Sequence, residues 1–392
     1  MTAASSTLSS HKEEIDMTTL RATRRKGILF LAILLSLAIV AAGCSQDTGS
    51  DDETTTTTSG ETGVTEAPTA TAPAPFDTDE PVKIAVVQNS GAGDYFQQWT
   101  NGAKQQADAL GIEYTWYDAQ ADSAKQATDM ETAIGSGVAG IVVDHGQTDT
   151  MCPLINDALD AGIPVVIYDI AILECAPAAV QTQQSDASLA DLSLGQMLED
   201  IGGDENVGYV NVLGIAPLDR RHVIWEEYVA ESPWLQEFFV GKFTNAVATD
   251  NAQLVDAALK ANPDVRAIFA PYDELTKGTV SAINDNGLSE TTWAYGIDIS
   301  NADIEIMTAE GSPWKATAGT DPNAIGAAVM RTMILELAGQ QVDRSVDFPG
   351  VLITQAFLVD NAITNMVELR SAMPELNLVE VQSADWIPAV EF

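Results

Sequence analysis

From Val82 onward, short apolar runs alternate along the chain with longer stretches in which apolar residues recur every three or four positions. Apolar runs of about 4 to 8 residues are typical of buried strands, whereas the longer spacing predicts amphipathic helices. The first series of predicted strands comprises VKIAVVQ, IEYTWYDA, GIVVD ending at Asp144 and IPVVIYD ending at Asp169. The helices between them are predicted at Tyr95–Leu110, at Ala124–Ile134 and in a segment that runs to Ala161.

A second series of elements begins near Ser185. Its helices are predicted up to Leu198 and over Asp219–Val229, Asn251–Ala261, Asp273–Asn284 and Pro322–Leu337. Its strands are predicted at NVGYVNVLG, around Phe243, and at RAIFA, WAYGID, WKATAG and VLITQAFLV. Strands that alternate with helices predict parallel sheets covered on both faces. The predicted fold class is therefore α/β, with two doubly wound parallel-sheet lobes.

The N-terminal region has a different pattern. Sixteen mostly apolar residues, Gly27–Ala42, follow a basic stretch from Arg21 to Lys26 and precede Gly43-Cys44. This apolar segment is shorter than the ~20 residues that a membrane-spanning helix needs. A basic segment, a short apolar core and small residues before a cleavage site predict a secretory signal peptide over residues 1–43. An uncleaved membrane anchor is the alternative.

The leader ends in VAAGC, which resembles the lipobox of bacterial lipoproteins, with Ala41 where leucine is usual. That resemblance implies that Cys44 becomes the lipidated first residue of the mature chain. Residues 44–80 are rich in Thr, Pro, Gly and acidic residues, a composition that cannot bury enough apolar surface to fold. They are predicted to be a disordered tether. The expected location is therefore extracytoplasmic, anchored to the cell membrane by lipid on Cys44.

The whole chain is strongly acidic, with 57 Asp and Glu against 18 Lys and Arg and a formal net charge of -39. Such a polyanion is repelled by nucleic acid and by anionic lipid, so neither is an expected partner. Cys152 and Cys175 form an even pair in an exported protein, which predicts a disulfide, with two unpaired buried thiols as the alternative. The sequence shows no Cys/His spacing typical of a metal site, and we predict no metal or cofactor.

Polar residues end or directly follow several predicted strands, namely Asn89, Asp118, Asp144, Asp169, Tyr272, Asp273 and Asp298. In open parallel sheets, ligands bind outside the carboxyl ends of the strands. An ionised Asp accepts charge-assisted hydrogen bonds from hydroxyl groups, which sugars and polyols carry in number. Helix capping is the alternative role for these Asp residues.

The order of segments from Val82 to about Val359 resembles the periplasmic sugar-binding proteins of bacterial ABC importers, of the ribose-binding type. DYFQQWTNGAKQQADALG is similar to the first helix of that family, which places its sugar-stacking aromatics on Tyr95 and Phe96. Packing within the protein is the alternative for both rings. IPVVIYD is similar to the strand that ends in a ligand-binding Asp, which falls on Asp169.

Three further segments carry the resemblance. GIAPLDRRHVIWEEYV is similar to the helix that bears a ligand Arg, here Arg221, and the strand ends of NPDVRAIFAPYDE and WAYGIDIS place ligand positions on Tyr272 and Asp298. The complete set of predicted ligand-binding residues is Tyr95, Phe96, Asp144, Asp169, Ser185, Arg221, Tyr272 and Asp298. The chain departs from the ribose-binding pattern at Ile170, Tyr272, Ile297 and Thr320. These departures argue against ribose itself. The expected ligand is still a member of the general class of polyhydroxylated compounds.

The resemblance implies a type I periplasmic binding protein fold with a ligand cleft between two lobes, residues 82–185 plus 321–349 and residues 186–320 plus 350–392. It also implies a monomeric solute-binding lipoprotein that delivers a monosaccharide or polyol to the permease subunits of an ABC importer. A sensory sugar-binding protein that reports to a membrane kinase is the alternative.

An enzyme is not predicted. Gly91-Ala92-Gly93 resembles a dinucleotide fingerprint, but Phe96 occupies the place of its third glycine, and a large side chain there blocks the approach of a pyrophosphate. The sequence contains no G-x-S-x-G, H-E-x-x-H or P-loop motif. We interpret His145 and His222 as solvated or hydrogen-bonded residues without a catalytic role.

Overall fold

Two parallel sheets organise the part of the chain that the computed structural model describes, residues 64–66 and 70–392. The predicted signal peptide and Cys44 lie outside the described residues. The strands of the described chain are β1 (Val64–Glu66), β2 (Lys83–Gln88), β3 (Glu113–Asp118), β4 (Gly140–Asp144), β5 (Val165–Tyr168), β6 (Val180–Gln184), β7 (Asn206–Val210), β8 (Leu235–Val240), β9 (Ala267–Ala270), β10 (Trp293–Ile297), β11 (Trp314–Gly319), β12 (Ser345–Phe348), β13 (Val351–Thr354) and β14 (Ala389–Val390).

Helices separate most of these strands. They are α1 (Asp94–Ala109), α2 (Ser123–Gly135), α3 (Thr148–Asp160), α4 (Asp186–Ile201), α5 (Ala216–Glu231), α6 (Val247–Ala261), α7 (Asp273–Asp285), α8 (Asn301–Thr308), α9 (Pro322–Leu337), α10 (Gln355–Asp360) and α11 (Met366–Ala372). None of the described helices is long and apolar enough to cross a bilayer.

The spatial order of strands in the first sheet is β12-β6-β5-β4-β2-β3, and every neighbouring pair is parallel. In the second sheet the order is β13-β11-β10-β9-β7-β8, parallel except that β13 runs antiparallel to β11. The chain passes from the first sheet to the second after β6, returns for β12 and crosses again to β13. The predicted α/β fold with two parallel-sheet lobes is confirmed.

Buried apolar strands and close helix contacts stabilise the first lobe. All five residues of β4 are buried, as expected for a central strand covered on both faces. Helices α1 and α9 touch through glycines, because a Cβ at Gly102 would lie 2.0 Å from the Asn323 carbonyl oxygen and one at Gly326 equally close to that of Trp99. Helix α9 begins and ends at the predicted residues, with Asp321 as its side-chain N-cap.

Two predicted strands are wrong in part. The strand expected around Phe243 lies earlier, at Leu235–Val240, and Phe243 follows it in a loop. The predicted strand VLITQAFLV divides into β13 and α10, because the Thr354 hydroxyl accepts a hydrogen bond from the Phe357 amide (3.1 Å) and so caps a helix.

The first-sheet strands β6 and β12 have no counterpart among the predicted strands. The sequence of β6 is VQTQQ, and the polar side chains of Gln181, Thr182 and Gln184 are buried. These buried polar groups form hydrogen bonds within the protein. A search for runs of apolar residues cannot recognise such a strand.

The predicted tether is too long at its C-terminal end. Strand β1 pairs antiparallel with β14, and the Ala70 amide donates to the Asp385 carbonyl (3.3 Å). The Phe76 ring packs 5.5 Å from that of Trp386, which is 5% exposed. Composition indicated a segment without a core of its own, and these contacts show that part of it packs against the last residues of the chain.

A disulfide joins Cys152 in α3 to Cys175 in the loop after β5, with a Cα–Cα distance of 6.3 Å. The Asn156 amide donates to the carbonyl oxygens of both cysteines, each at 3.0 Å. The bond therefore ties the loop that follows β5 to the neighbouring helix.

We predict that the double variant Cys152→Ser/Cys175→Ser lowers the free energy of unfolding by about 3 kcal/mol. The disulfide joins cysteines that are 23 residues apart in the sequence, and so it restricts the conformations of the loop between them in the unfolded chain. Urea unfolding of the variant and the oxidised wild type measures the difference. Two alkylatable thiols at these positions in unreduced wild-type protein would show that the bond does not form.

Candidate functional site

A cleft of about 650 Å³, partly open to solvent, lies where the carboxyl ends of the two sheets meet. From strand ends of the first sheet, its lining includes Asn89, Ser90, His145, Gln147, Asp169 and Gln184. From the second lobe, it includes Ile215, Pro217, Leu218, Phe243, Tyr272 and Asp298. Tyr95, Phe96 and Arg221 join them from helices α1 and α5. This is the position at which parallel sheets present ligand sites.

Arg221 has four hydrogen-bond acceptors around its guanidinium and is only 3% exposed. Its Nε donates to Asp186 Oδ1 (2.6 Å), and its Nη1 lies 2.6 Å from the Pro271 carbonyl oxygen and 3.3 Å from Asp298 Oδ2. Its Nη2 donates to Gln184 Oε1. Burial lowers the pKa of Arg221, but Asp298 and Asp186 outweigh it and the pKa is raised, so the guanidinium stays charged.

Gln184 connects the two lobes at the base of the cleft. Its Nε2 lies within hydrogen-bond distance of Tyr95 Oη (2.8 Å), Asp298 Oδ1 (3.0 Å) and Thr320 Oγ1 (2.8 Å). Tyr95 is on α1 of the first lobe, whereas Asp298 follows β10 of the second. The amide therefore orients an acceptor from each lobe toward the same point.

Asp169 makes a second connection between the lobes. Its Oδ1 lies 2.6 Å from Arg220 Nη2, and the Nε of Arg220 donates to Asp186 Oδ2 (2.7 Å). Asp186 thus holds two consecutive arginines of α5 in place. Arg220, rather than the predicted ligand residue Arg221, makes the direct ion pair with Asp169.

Asp169 and Asp298 both adopt left-handed backbone conformations, with φ of 58° and 77°. Asp enters this region more readily than most residues, and the resulting turn directs each carboxylate into the cleft at its strand end. Neither carboxylate caps a helix; Ser300 caps α8, which follows Asp298. The structure therefore does not support helix capping as the role of Asp169 or Asp298.

Burial governs the protonation of both carboxylates. It raises the pKa of Asp169 to about 7, reinforced by Asp186 and opposed by His145, Arg220 and Arg221. Burial also raises the pKa of Asp298, although the Arg221 cation counteracts it. Near neutral pH, Asp169 can both accept and donate a proton in a hydrogen bond.

Asp144 does not line the cleft, contrary to prediction, because its side chain turns into the core beneath His145. It accepts from Gln88 Nε2 (2.5 Å) and lies 2.6 Å from His145 Nδ1. His145 is the residue that lines the cleft, with its ring 5.1 Å from that of Phe96. Burial lowers the pKa of His145, but Asp144 outweighs it and the pKa is raised.

Ser185 is the second predicted residue that does not line the cleft. It occupies the N-cap position of α4 without a side-chain cap hydrogen bond, and its amide donates to the Phe348 carbonyl (2.9 Å). The other six predicted residues line the cleft: Tyr95, Phe96, Asp169, Arg221, Tyr272 and Asp298. Gln184, next to Ser185, was missed because its strand was not recognised.

The described residues contain no group of three or more His, Cys, Asp or Glu side chains arranged to hold a metal.

An aromatic cluster lies behind Tyr95. Tyr95 Oη lies 2.6 Å from Tyr168 Oη, and Tyr168 stacks on the buried Trp99 at 5.7 Å. The cleft therefore offers aromatic rings, hydroxyl groups, carboxylates and one buried cation. This set can hold a polar ligand by hydrogen bonds and ring contacts.

Comparison with known proteins matches residues 84–341 to the family of the periplasmic binding protein domain. The ribose import binding protein of Bacillus subtilis is 22% identical over 261 residues, 67% of this chain and 83% of that protein. The D-ribose/D-allose-binding protein of Pseudomonas aeruginosa is 25% identical over 294 residues, 72% of this chain and 90% of that protein.

Solved structures show the same fold. The 5-methylthioribose transporter solute-binding protein of Thermotoga lettingae, in complex with 5-methylthioribose, is 35% identical with a TM-score of 0.76, over 78% of this chain and 97% of that one. A sugar ABC transporter protein of Yersinia enterocolitica is 29% identical with a TM-score of 0.78, over 81% and 97%.

We predict that Asp169→Asn removes a pH-dependent loss of stability. The folded protein holds the Asp169 proton more tightly than the unfolded chain, whose carboxyl has a pKa near 3.8, so raising the pH from about 4 to about 7 lowers the free energy of unfolding through this group. The variant should therefore gain stability relative to wild type across this range. Urea unfolding at several pH values measures it, and a difference that is constant with pH contradicts the prediction.

Proposed function

The chain belongs to the periplasmic binding protein domain family, and on that premise we propose that it is the extracytoplasmic solute-binding component of a sugar ABC importer. The observation that carries the proposal is the cleft, where Asp169 of the first lobe and Asp298 and Arg221 of the second line one space. A ligand that contacts both lobes favours their closed arrangement by the contacts it adds there.

The proposed ligand is a monosaccharide or a related polyol. Two buried carboxylates can accept from hydroxyl groups, and the guanidinium of Arg221 can donate to hydroxyl oxygens. The rings of Tyr95 and Phe96 can pack against the C–H face of a sugar. Relatives named for ribose, allose and 5-methylthioribose support the same class of ligand.

We place the lobe boundaries at residues 82–185 plus 321–349 and at 186–320 plus 350–392, with the correction that the end of the chain lies against the first lobe. There Gln106 of α1 donates to the Pro388 carbonyl (3.0 Å) and Arg331 of α9 donates to the Leu378 carbonyl (2.6 Å). Strand β6 ends at Gln184, and α4 packs on β10 and β11 of the second sheet, which supports the first crossing. Helix α9 packs on α1, β4 and β5, which supports a return to the first lobe after residue 320.

We further propose that the protein acts as a monomer, is held at the membrane by lipid on Cys44 and releases its ligand to the permease subunits of the importer. The lipobox-like VAAGC and the acidic, Thr-rich segment after it support this anchoring. No chemical step on the ligand is required for this role.

Replacing Cys44 tests the anchor. Cys44→Ser removes the sulfur that would carry the lipid, so the protein should leave the membrane fraction and be recovered in the soluble extracytoplasmic or culture fraction. Fractionation followed by immunoblotting measures this. Retention of the variant in membranes at its original length contradicts a lipid anchor.

Substituting the cleft carboxylates tests the ligand site. A thermal-shift screen of sugars and polyols first identifies a ligand, since binding stabilises the folded state. Asp169→Asn and Asp298→Asn then keep the side-chain size but remove the charge that strengthens hydrogen bonds, and each should weaken binding about tenfold or more. Isothermal titration calorimetry measures the affinity.

Asp160→Asn is the matched control, because Asp160 is exposed at the end of α3, away from the cleft lining. It should leave affinity unchanged. Wild-type affinity in both folded cleft variants would contradict the assignment of the site.

A further inference from the structure

Both lobes carry a large excess of negative charge. Residues 82–185, which contain strands β2 to β6 of the first sheet, have 13 Asp and Glu against 3 Lys and Arg. Residues 186–320, which contain strands β7 to β11 of the second sheet, have 22 Asp and Glu against 7 Lys and Arg. Like charges repel, so the charge of the two lobes opposes their approach to each other.

The ion pairs that join the lobes do not neutralise this charge. Arg220 pairs with Asp169 (2.6 Å) and Lys277 with Asp94 (3.5 Å), and in both pairs the cation belongs to the second lobe. Each cation also pairs with carboxylates of its own lobe, namely Asp186 for Arg220, and Asp273, Glu274 and Asp303 for Lys277. Two cations therefore serve six carboxylates.

Carboxylates of the two lobes face each other beside Lys277. Gly93, directly before Asp94 in the first lobe, is so close to the second lobe that a Cβ on it would lie 3.4 Å from Glu274 Oε1. Burial raises the pKa of Glu274, the carboxylates of Asp273 and Asp94 raise it further, and Lys277 opposes them.

This contact lies away from the places where the chain passes between the lobes. Helices α1 and α7, which carry Asp94 and Glu274, follow strands β2 and β9. The chain crosses between the lobes after β6, β11 and β12, and neither β2 nor β9 is a neighbour of these strands. Opening of the lobes therefore separates Asp94 from Glu274 and relieves their repulsion.

We infer that ionic strength controls the closure of this protein: salt screens the repulsion between the lobes, favours the closed arrangement and so raises the affinity for the ligand. This inference rests on the proposed function. The Debye length falls from ~30 Å at 0.01 M salt to ~8 Å at 0.15 M, so repulsion across the cleft is strong only in dilute salt. The apparent affinity of a ligand follows the fraction of protein in the binding-competent state. An uncharged sugar adds no charge of its own, so a salt dependence of its affinity reports on the lobes.

Calorimetric titration at two salt concentrations tests this. The probe is the uncharged sugar or polyol that gives the largest shift in the thermal screen, run at about 0.5 M NaCl so that screening is nearly complete. The purified full-length protein is titrated with it at that concentration and at about 0.01 M NaCl, or the lowest concentration at which circular dichroism shows the native fold. We expect about tenfold higher affinity at the higher concentration, because like charges that face each other across an interface are costly when unscreened. KCl should act like NaCl, since screening depends on ionic strength.

An affinity that stays constant or falls as NaCl rises overturns the inference and leaves the proposed function intact. A rise with NaCl but not with KCl indicates binding of a particular ion and also overturns it. If no sugar or polyol binds at either salt concentration, both the inference and the proposed function are wrong.

A substitution beside Lys277 locates the repulsion. Glu274→Gln removes a carboxylate that faces Asp94 and leaves Lys277 to attract Asp94, so affinity at the lower salt concentration should rise about twofold to fivefold. The change should be smaller at the higher concentration. Asp160→Asn is the matched control, because it removes one charge from an exposed position away from the cleft. No gain in folded Glu274→Gln, or an equal gain in Asp160→Asn, overturns the assignment of the repulsion to this contact.

Discussion

The buried guanidinium of Arg221 is the interaction on which the arrangement of the cleft depends. A buried charge is costly unless it is paired and hydrogen-bonded, and this one has Asp186, Asp298, Gln184 and a backbone carbonyl as acceptors. In a chain with a net charge of -39, this cation offsets the repulsion between buried carboxylates. It therefore determines where the side chains of Asp298 and Gln184 point within the cleft.

Polar contacts also hold the two lobes together. Three contacts join a residue of one lobe to a residue of the other: Arg220 with Asp169, Gln184 with Asp298, and Lys277 with Asp94 (3.5 Å). Several of these groups also line the cleft, so a ligand can strengthen the contact between the lobes by bonding to groups on both sides. Domain closure around a ligand requires such differential contacts and no large change within either lobe.

Much of the fold could be predicted from the sequence, because apolar strands such as β4 and capped helices such as α9 carry strong local signals. The site was harder to predict. Adjacent residues differ in side-chain direction, so identifying a strand end does not determine whether Asp144 or His145 faces the cleft. Strand β6 carries its polar residues inside, and its Gln184 is satisfied only by groups more than 30 residues away along the chain. Long-range partners of this kind leave no local pattern.

The central claim is that one polar ligand is held between the two lobes, and a crystal structure of the protein with the ligand found by screening tests it most directly. The account predicts ligand oxygens within hydrogen-bond distance of Asp169 from the first lobe and of Asp298 or Arg221 from the second. A ligand bound to residues of only one lobe, or outside the cleft, would contradict it.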